Sequence, residues 1–140
     1  MMSSVRVVHV SGDQFSADIR GHTVVVDQPT AEGGGDAGPT PTELFVAGLA
    51  TCVAHYARGY LARHDLDTTG LAVAVDWGFA ADRPARVGRI DVRIDPPPSL
   101  PENRRAGLLA VASHCTVHNS LAQPPSVTIE LARRQAGAAA

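Results

Sequence analysis

Gly38-Pro39-Thr40-Pro41-Thr42-Glu43-Leu44-Phe45-Val46-Ala47-Gly48-Leu49-Ala50-Thr51-Cys52 decides how this chain folds. The stretch closes a glycine-rich loop, opens a long helix and carries a cysteine into it. Thr40 or Thr42 suits the N-cap, because a hydroxyl oxygen accepts one of the orphan N–H groups there, and Pro41 fits a first turn that needs no N–H from it. Glu43 falls in that first turn, where the helix dipole favours a carboxylate. The pattern predicts a helix running to about His64, with Arg58, Arg63 and His64 at the end that favours cations. Between Glu43 and Arg58 no Asp, Glu, Lys or Arg occurs. A helix with no polar face is buried, in a core or in an interface. Leu44, Phe45, Leu49, Cys52, Val53, Tyr56, Tyr60 and Leu61 make up its broad apolar surface.

On the N-terminal side, Val5–Val10 is β-branched, Phe15–Ile19 alternates apolar and polar, and Thr23–Asp27 is a third apolar run. Ser11-Gly12-Asp13 and Arg20-Gly21-His22 read as tight turns between them, so these segments predict an antiparallel meander. Gln28–Thr40, with Gly33-Gly34-Gly35, reads as a connector. It lacks the Gly-Lys-Ser ending of a phosphate loop. On the C-terminal side, Leu71–Ala80 and Val87–Ile94 predict a hairpin turned at Asp82-Arg83-Pro84. Pro101–Cys115 predicts a second helix, His118–Leu121 one more helical turn, and Ser126–Leu131 a closing strand. Arg133–Ala140 reads as a disordered tail. The expectation is one α+β domain spanning residues 1–140, in the order βββ-α-ββ-α-β.

Composition bounds the function. The chain has 140 residues, 44% hydrophobic but only 4% aromatic, so Val, Leu, Ile and Ala must build the core. The net charge of −2 gives no electrostatic case for nucleic acid or an anionic membrane. All twelve basic residues are Arg, which excludes lysine Schiff-base chemistry. No apolar run reaches the ~20 residues of a membrane span, and no signal segment is read at the start. The expected location is therefore cytoplasmic. There, two cysteines point to catalysis, redox sensing or metal binding more than to a permanent crosslink.

Those cysteines are Cys52 and Cys115. A thiol attacks only as thiolate, and burial in apolar surroundings opposes its ionisation, so Cys52 needs a cation. Arg20, at a turn tip, is one candidate, and an ordinary solvated turn residue is the simpler reading of it. A thiolate that meets a peroxide becomes a sulfenic acid, which a second thiol such as Cys115 converts to a disulfide. Both cysteines could equally be small buried hydrophobes. Cys52-Val53-Ala54-His55 and Cys115-Thr116-Val117-His118 also leave open a zinc site built from Cys52, His55, Cys115 and His118. No Gly-x-Ser-x-Gly elbow supports a serine hydrolase. Glu43 reads as a helix cap or as a catalytic carboxylate.

The pattern Gly38-x-x-Pro41-x-Glu43-Leu44 followed by Leu49-Ala50-Thr51-Cys52 resembles the OsmC/Ohr family of osmotically induced and organic-hydroperoxide-resistance proteins. Ala112–Leu121 resembles that family's second-cysteine motif, and Gly21–Pro29 with the glycine-rich loop fits it too. The resemblance implies an OsmC-like fold: an intertwined homodimer with antiparallel sheets around a long buried central helix and sites at the subunit interface. It implies a thiol-dependent peroxidase that reduces organic hydroperoxides without a cofactor or metal. Cys52 would be the peroxidatic thiol and Cys115 the resolving one. Arg20 would be the activating arginine, facing the other subunit's cysteine, with Glu43 as its carboxylate partner. Phe45, Leu49 and Tyr56 would line the substrate pocket, and a small thiol or a dithiol such as a lipoylated protein would regenerate the enzyme. The alternative is a non-catalytic relative that binds a small apolar or thiol ligand at the same interface. Two departures set the chain apart. Thr42 follows Pro41 and Glu43 comes one residue later, a rotation of about 100° on a helix. Thr116 replaces the usual Pro after the second cysteine.

Overall fold

The computed structural model describes residues 2–133. The elements, in chain order, are β1 (Val5–Ser11), β2 (Gln14–Ile19), β3 (His22–Val26), α1 (Pro41–Arg63), β4 (Ala72–Phe79), β5 (Val87–Asp95), α2 (Arg105–Ala112) and α3 (Thr116–Ala122). Short 3-10 turns at Thr30–Glu32 and Glu102–Arg104 complete the inventory. The predicted α+β architecture with antiparallel sheets holds, and three of its details change.

β1, β2 and β3 form an antiparallel meander, with Val7 opposite Ala17 and Ala17 opposite Val24. Arg20 and Gly21 turn β2 into β3, both at positive φ (53° and 82°), the geometry of the tightest hairpin turn. The meander makes almost no contact with the helices or with the other strands. Every β1 residue is exposed, and Val5, Val7, Phe15 and Ile19 present an uncovered apolar face. β4 and β5 form a separate antiparallel hairpin, in which Trp77 pairs with Ile90.

The loop from residue 28 to 39 is more than a connector. The backbone N–H of Asp27 donates to the Pro39 carbonyl and that of Asp36 to the Gln28 carbonyl, so the loop folds back along β3. Two of its glycines are steric necessities. A Cβ on Gly34 would lie 2.1 Å from the Gln28 carbonyl oxygen, and one on Gly38 would lie 2.1 Å from the Val25 carbonyl oxygen. Asp27, buried at the end of β3, takes N–H donors from Gln28 (2.7 Å) and Ala37 (3.0 Å). Those donors, led by Ala37, hold its carboxyl below the usual carboxylate range.

α1 begins where the sequence places it. The Thr40 hydroxyl accepts from the Glu43 N–H (3.1 Å), and the Glu43 carboxylate accepts from the Thr40 N–H (2.8 Å), a complete capping box. The helix packs on α2, β4, α3 and β5. Leu49, Val53, Ala57, Tyr60 and Leu61 join Leu108, Ala112 and Cys115 in the core. The opposite face, with Ala47, Thr51, His55 and Arg58, is exposed, so the described residues cover only one side of the central helix.

The other corrections lie near the C-terminus. The single helix expected over Pro101–Cys115 is a 3-10 turn and then α2, ending at Ala112, and the chain breaks before α3. Cys115 is therefore the N-cap of α3, in extended conformation, rather than a residue on a helix face. The closing strand expected at Ser126–Leu131 is not formed: Val127, Ile129 and Leu131 are 73%, 94% and 97% exposed and pair with nothing among the described residues. The tail expected over Arg133–Ala140 lies, beyond Arg133, outside the described residues.

Candidate redox site

Two elements distant in sequence deliver the two thiols. α1 carries Cys52 at its middle, one turn before Tyr56, and the break between α2 and α3 places Cys115 against it. The first turn of α3 holds both sulfurs. The Val117 N–H donates to Cys52 Sγ at 3.5 Å, and the His118 N–H donates to Cys115 Sγ at 3.4 Å. Both N–H groups are among those that a helix start leaves without an intrahelical acceptor. Both cysteines are free, Cys52 half-buried and Cys115 buried. Burial pushes the Cys115 thiol up, and the adjacent Cys52 adds to the effect against the partial relief from the His118 and Val117 amides. The asymmetry suits a division of labour: an accessible first thiol and a protonated second one close enough to interact.

A hydroxyl pair closes the site on one side. Tyr56 Oη and Thr116 Oγ1 are 2.7 Å apart, joining α1 to α3 one residue from the amide that holds Cys52. A proline at 116 would have no hydroxyl to offer.

The other expected residues scatter. Arg20 stands at the exposed tip of the β2–β3 turn and forms no ion pair among the described residues. Glu43 spends one carboxylate oxygen on the helix cap. Phe45 is half-exposed, Leu49 is buried in the core, and Tyr56 is the only one of the three predicted pocket residues that shares a polar contact with the thiol region. For zinc, the four proposed ligands do not converge. His55 is exposed with its ring against Tyr56, and His118 Nδ1 is bonded to the Ser113 carbonyl. Among the described residues no three of His, Cys, Asp and Glu form a metal-holding group.

A hollow of about 530 Å³ opens between β5, α1 and α2–α3, lined by Leu49, Val53, Ile90, Val92, Ile94 and Leu109, with His118 at its rim. Neither sulfur lines it. Sequence reading missed this hollow because its wall is assembled from β5, α1, α2 and α3, which are distant in sequence. It also missed the Tyr56–Thr116 pair, whose partners lie sixty residues apart.

No helix among the described residues is long and apolar enough to cross a membrane. Comparisons with known proteins agree with this architecture. A protein from Psychrobacter arcticus 273-4, described as an osmotic stress induced and detoxification response protein, has a similar fold (TM-score 0.77, 23% identity, 86% of this chain and 88% of that one). So does an OsmC like protein from Mycoplasma pneumoniae (TM-score 0.76, 16% identity, 89% of each chain). An organic hydroperoxide resistance protein OsmC from Legionella pneumophila is also similar (TM-score 0.65, 17% identity, 86% of this chain and 89% of that one). No curated protein matches the chain. Residues 33–130, which include the capped helix and both cysteines, match the sequence profile of OsmC-like protein, and the chain belongs to that family.

Proposed function

We propose that this chain is a thiol-dependent peroxidase that reduces organic hydroperoxides in oxidative stress defence. The observation that carries the reading is the first turn of α3, whose successive amides hold the two free sulfurs side by side. In the first step the Cys52 thiolate attacks the distal peroxide oxygen: the S–O bond forms, the O–O bond breaks, and the alcohol leaves after taking up a proton. The Cys115 thiol then attacks the sulfenic sulfur, forming the disulfide and releasing water. A dithiol, such as a lipoylated protein in the cytoplasm, or two small thiols reduce the disulfide by exchange.

The active unit is a homodimer. The exposed half of α1, the bare apolar face of the meander and the unpaired Ser126–Leu131 segment together support an interface with a second copy. Arg20, remote from its own thiols at a turn tip, activates Cys52 across that interface, and Glu43 offers its remaining oxygen to the incoming guanidinium. Phe45 and Tyr56 flank the approach to Cys52 on α1 in this reading, while Leu49 lies in the core and lines the hollow instead. Purified protein with cumene hydroperoxide and a dithiol reductant tests the reading. Turnover lost in Cys52→Ser supports it, and turnover unchanged in Cys52→Ser refutes it.

A second reading draws on the 530 Å³ hollow, which holds no sulfur in its lining. A non-catalytic protein would use it to bind a small apolar ligand, and Cys52→Ser would leave that binding intact.

A further inference from the structure

We propose that Tyr56 is the general acid of the first step, donating its phenolic proton to the oxygen that leaves when Cys52 cleaves a hydroperoxide, with the Thr116 hydroxyl as its support. The proposal rests on the peroxidase reading above. That reading leaves an alkoxide at the site, and an alkoxide is too basic to depart unprotonated at neutral pH.

Tyr56 lies four residues after Cys52 on α1, so the two side chains are neighbours on one helix face, with Cβ atoms about 5–6 Å apart. The hydroxyl is held at 2.7 Å from Thr116 Oγ1, and the next residue's amide holds the Cys52 sulfur. Sulfur and phenol are thus anchored to adjacent residues of a single turn. The competing acids are worse placed. The Cys115 thiol is buried and is needed for the second step. His118 has Nδ1 committed to a carbonyl and lines a hollow that contains neither sulfur. His55 is exposed, with its ring packed T-shaped against that of Tyr56, and it makes no hydrogen bond to either sulfur among the described residues.

The step balances. Cys52-S⁻ and R–O–O–H give Cys52-S–OH and RO⁻; RO⁻ and the Tyr56 hydroxyl give ROH and phenolate. Thr116, whose hydroxyl can serve as either donor or acceptor in this pair, turns to donate to the phenolate until solvent reprotonates it. Sulfur is oxidised and the peroxide oxygen reduced, with no further reactant.

The test compares two oxidants in single-turnover oxidation of Cys52, followed by intact mass in a Cys115→Ser background. Cumene hydroperoxide leaves as an alkoxide and needs the proton. Peracetic acid leaves as a carboxylate and does not. Tyr56→Phe is expected to slow the cumene hydroperoxide reaction by about a hundredfold or more, from the low end of general-acid effects upward, while peracetic acid oxidises the variant at the wild-type rate. Thr116→Val is expected to show the same selectivity to a smaller degree. Equal slowing of both oxidants would mean Tyr56 is structural, and no slowing of either would mean the proton comes from elsewhere. Each of those results overturns the proposal. Failure of the parent protein to oxidise Cys52 with either reagent would instead overturn the peroxidase reading itself.

Discussion

The capping box at the start of α1 separates two roles for Glu43 by measurement. If Glu43 acts in the single chain through its hydrogen bond to the Thr40 N–H, the amide of Glu43→Gln can accept the same bond, and stability should hardly change. Glu43→Ala removes the acceptor and leaves one N–H at the helix start without its partner. Thr40→Ala removes the reciprocal bond to the Glu43 N–H. Loss of an N-cap side chain costs about 1 kcal/mol, within a range of roughly 0.5–2 kcal/mol. For a domain of this size, that corresponds to a fall in Tm of roughly 3–5 °C. The two bonds close one ring, so the double variant Thr40→Ala/Glu43→Ala should cost less than the sum of the singles. Urea unfolding at one protein concentration measures all four, as a shift of midpoint at constant slope. The reasoning is refuted if Glu43→Gln is as destabilised as Glu43→Ala, because charge rather than the bond would then matter. If Glu43→Gln keeps its stability and loses peroxidase turnover, the remaining oxygen serves the partner's guanidinium as proposed.

Three further outcomes follow from the same geometry. Gly38→Ala should destabilise by at least the ~1–3 kcal/mol typical of overpacking, because its Cβ would meet a backbone carbonyl that cannot swing aside; an unchanged Tm would contradict the close approach. Asp27 has a folded-state pKa held below its unfolded value, so its contribution to stability is complete above the ordinary carboxylate pKa of about 3.9 and is lost as pH falls through the lower folded value. Asp27→Asn should therefore be less stable at pH 7 and lose less on acidification, and parallel urea midpoints against pH for the two proteins would contradict this. The raised pKa of Cys115 means that disulfide closure from the Cys52 sulfenic acid should accelerate with pH through and beyond the ordinary thiol value of about 8.5. Quenched-flow mass spectrometry would read that rate, and a plateau below pH 8 would show that Cys115 ionises more easily than its burial implies.

α1 was legible in the sequence because its signals are local. A hydroxyl cap, Pro41, Glu43 and an uninterrupted apolar run all agree within a few residues. The hairpins were legible for the same reason, alternation bounded by glycine and proline. The break before Cys115 was not, because Ser113-His114 contains neither glycine nor proline and the apolar period of α2 runs up to it. What stops the helix there is the extended backbone of Cys115, whose sulfur caps the next one. Ser126–Leu131 carries a genuine strand pattern, but a strand needs a neighbour, and the described residues supply none. Asp27 read as a strand-end residue. Its hint was position, a lone carboxylate entering a loop of small residues whose amides can reach it. Arg20 was proposed from position and resemblance alone, and at the tip of the β2–β3 turn it makes no contact within the described residues that ties it to Cys52. The approach of Cys52 to Cys115, like the link from Tyr56 to Thr116, is made by tertiary packing over sixty or so residues, which no local pattern encodes.

The most direct test of the account is the intact mass of the purified protein after one equivalent of cumene hydroperoxide, without added thiol. The account predicts a loss of two hydrogens, with neither thiol open to alkylation after unfolding, and no such loss in Cys52→Ser or Cys115→Ser. An unchanged mass, with both thiols still free after unfolding, would contradict it.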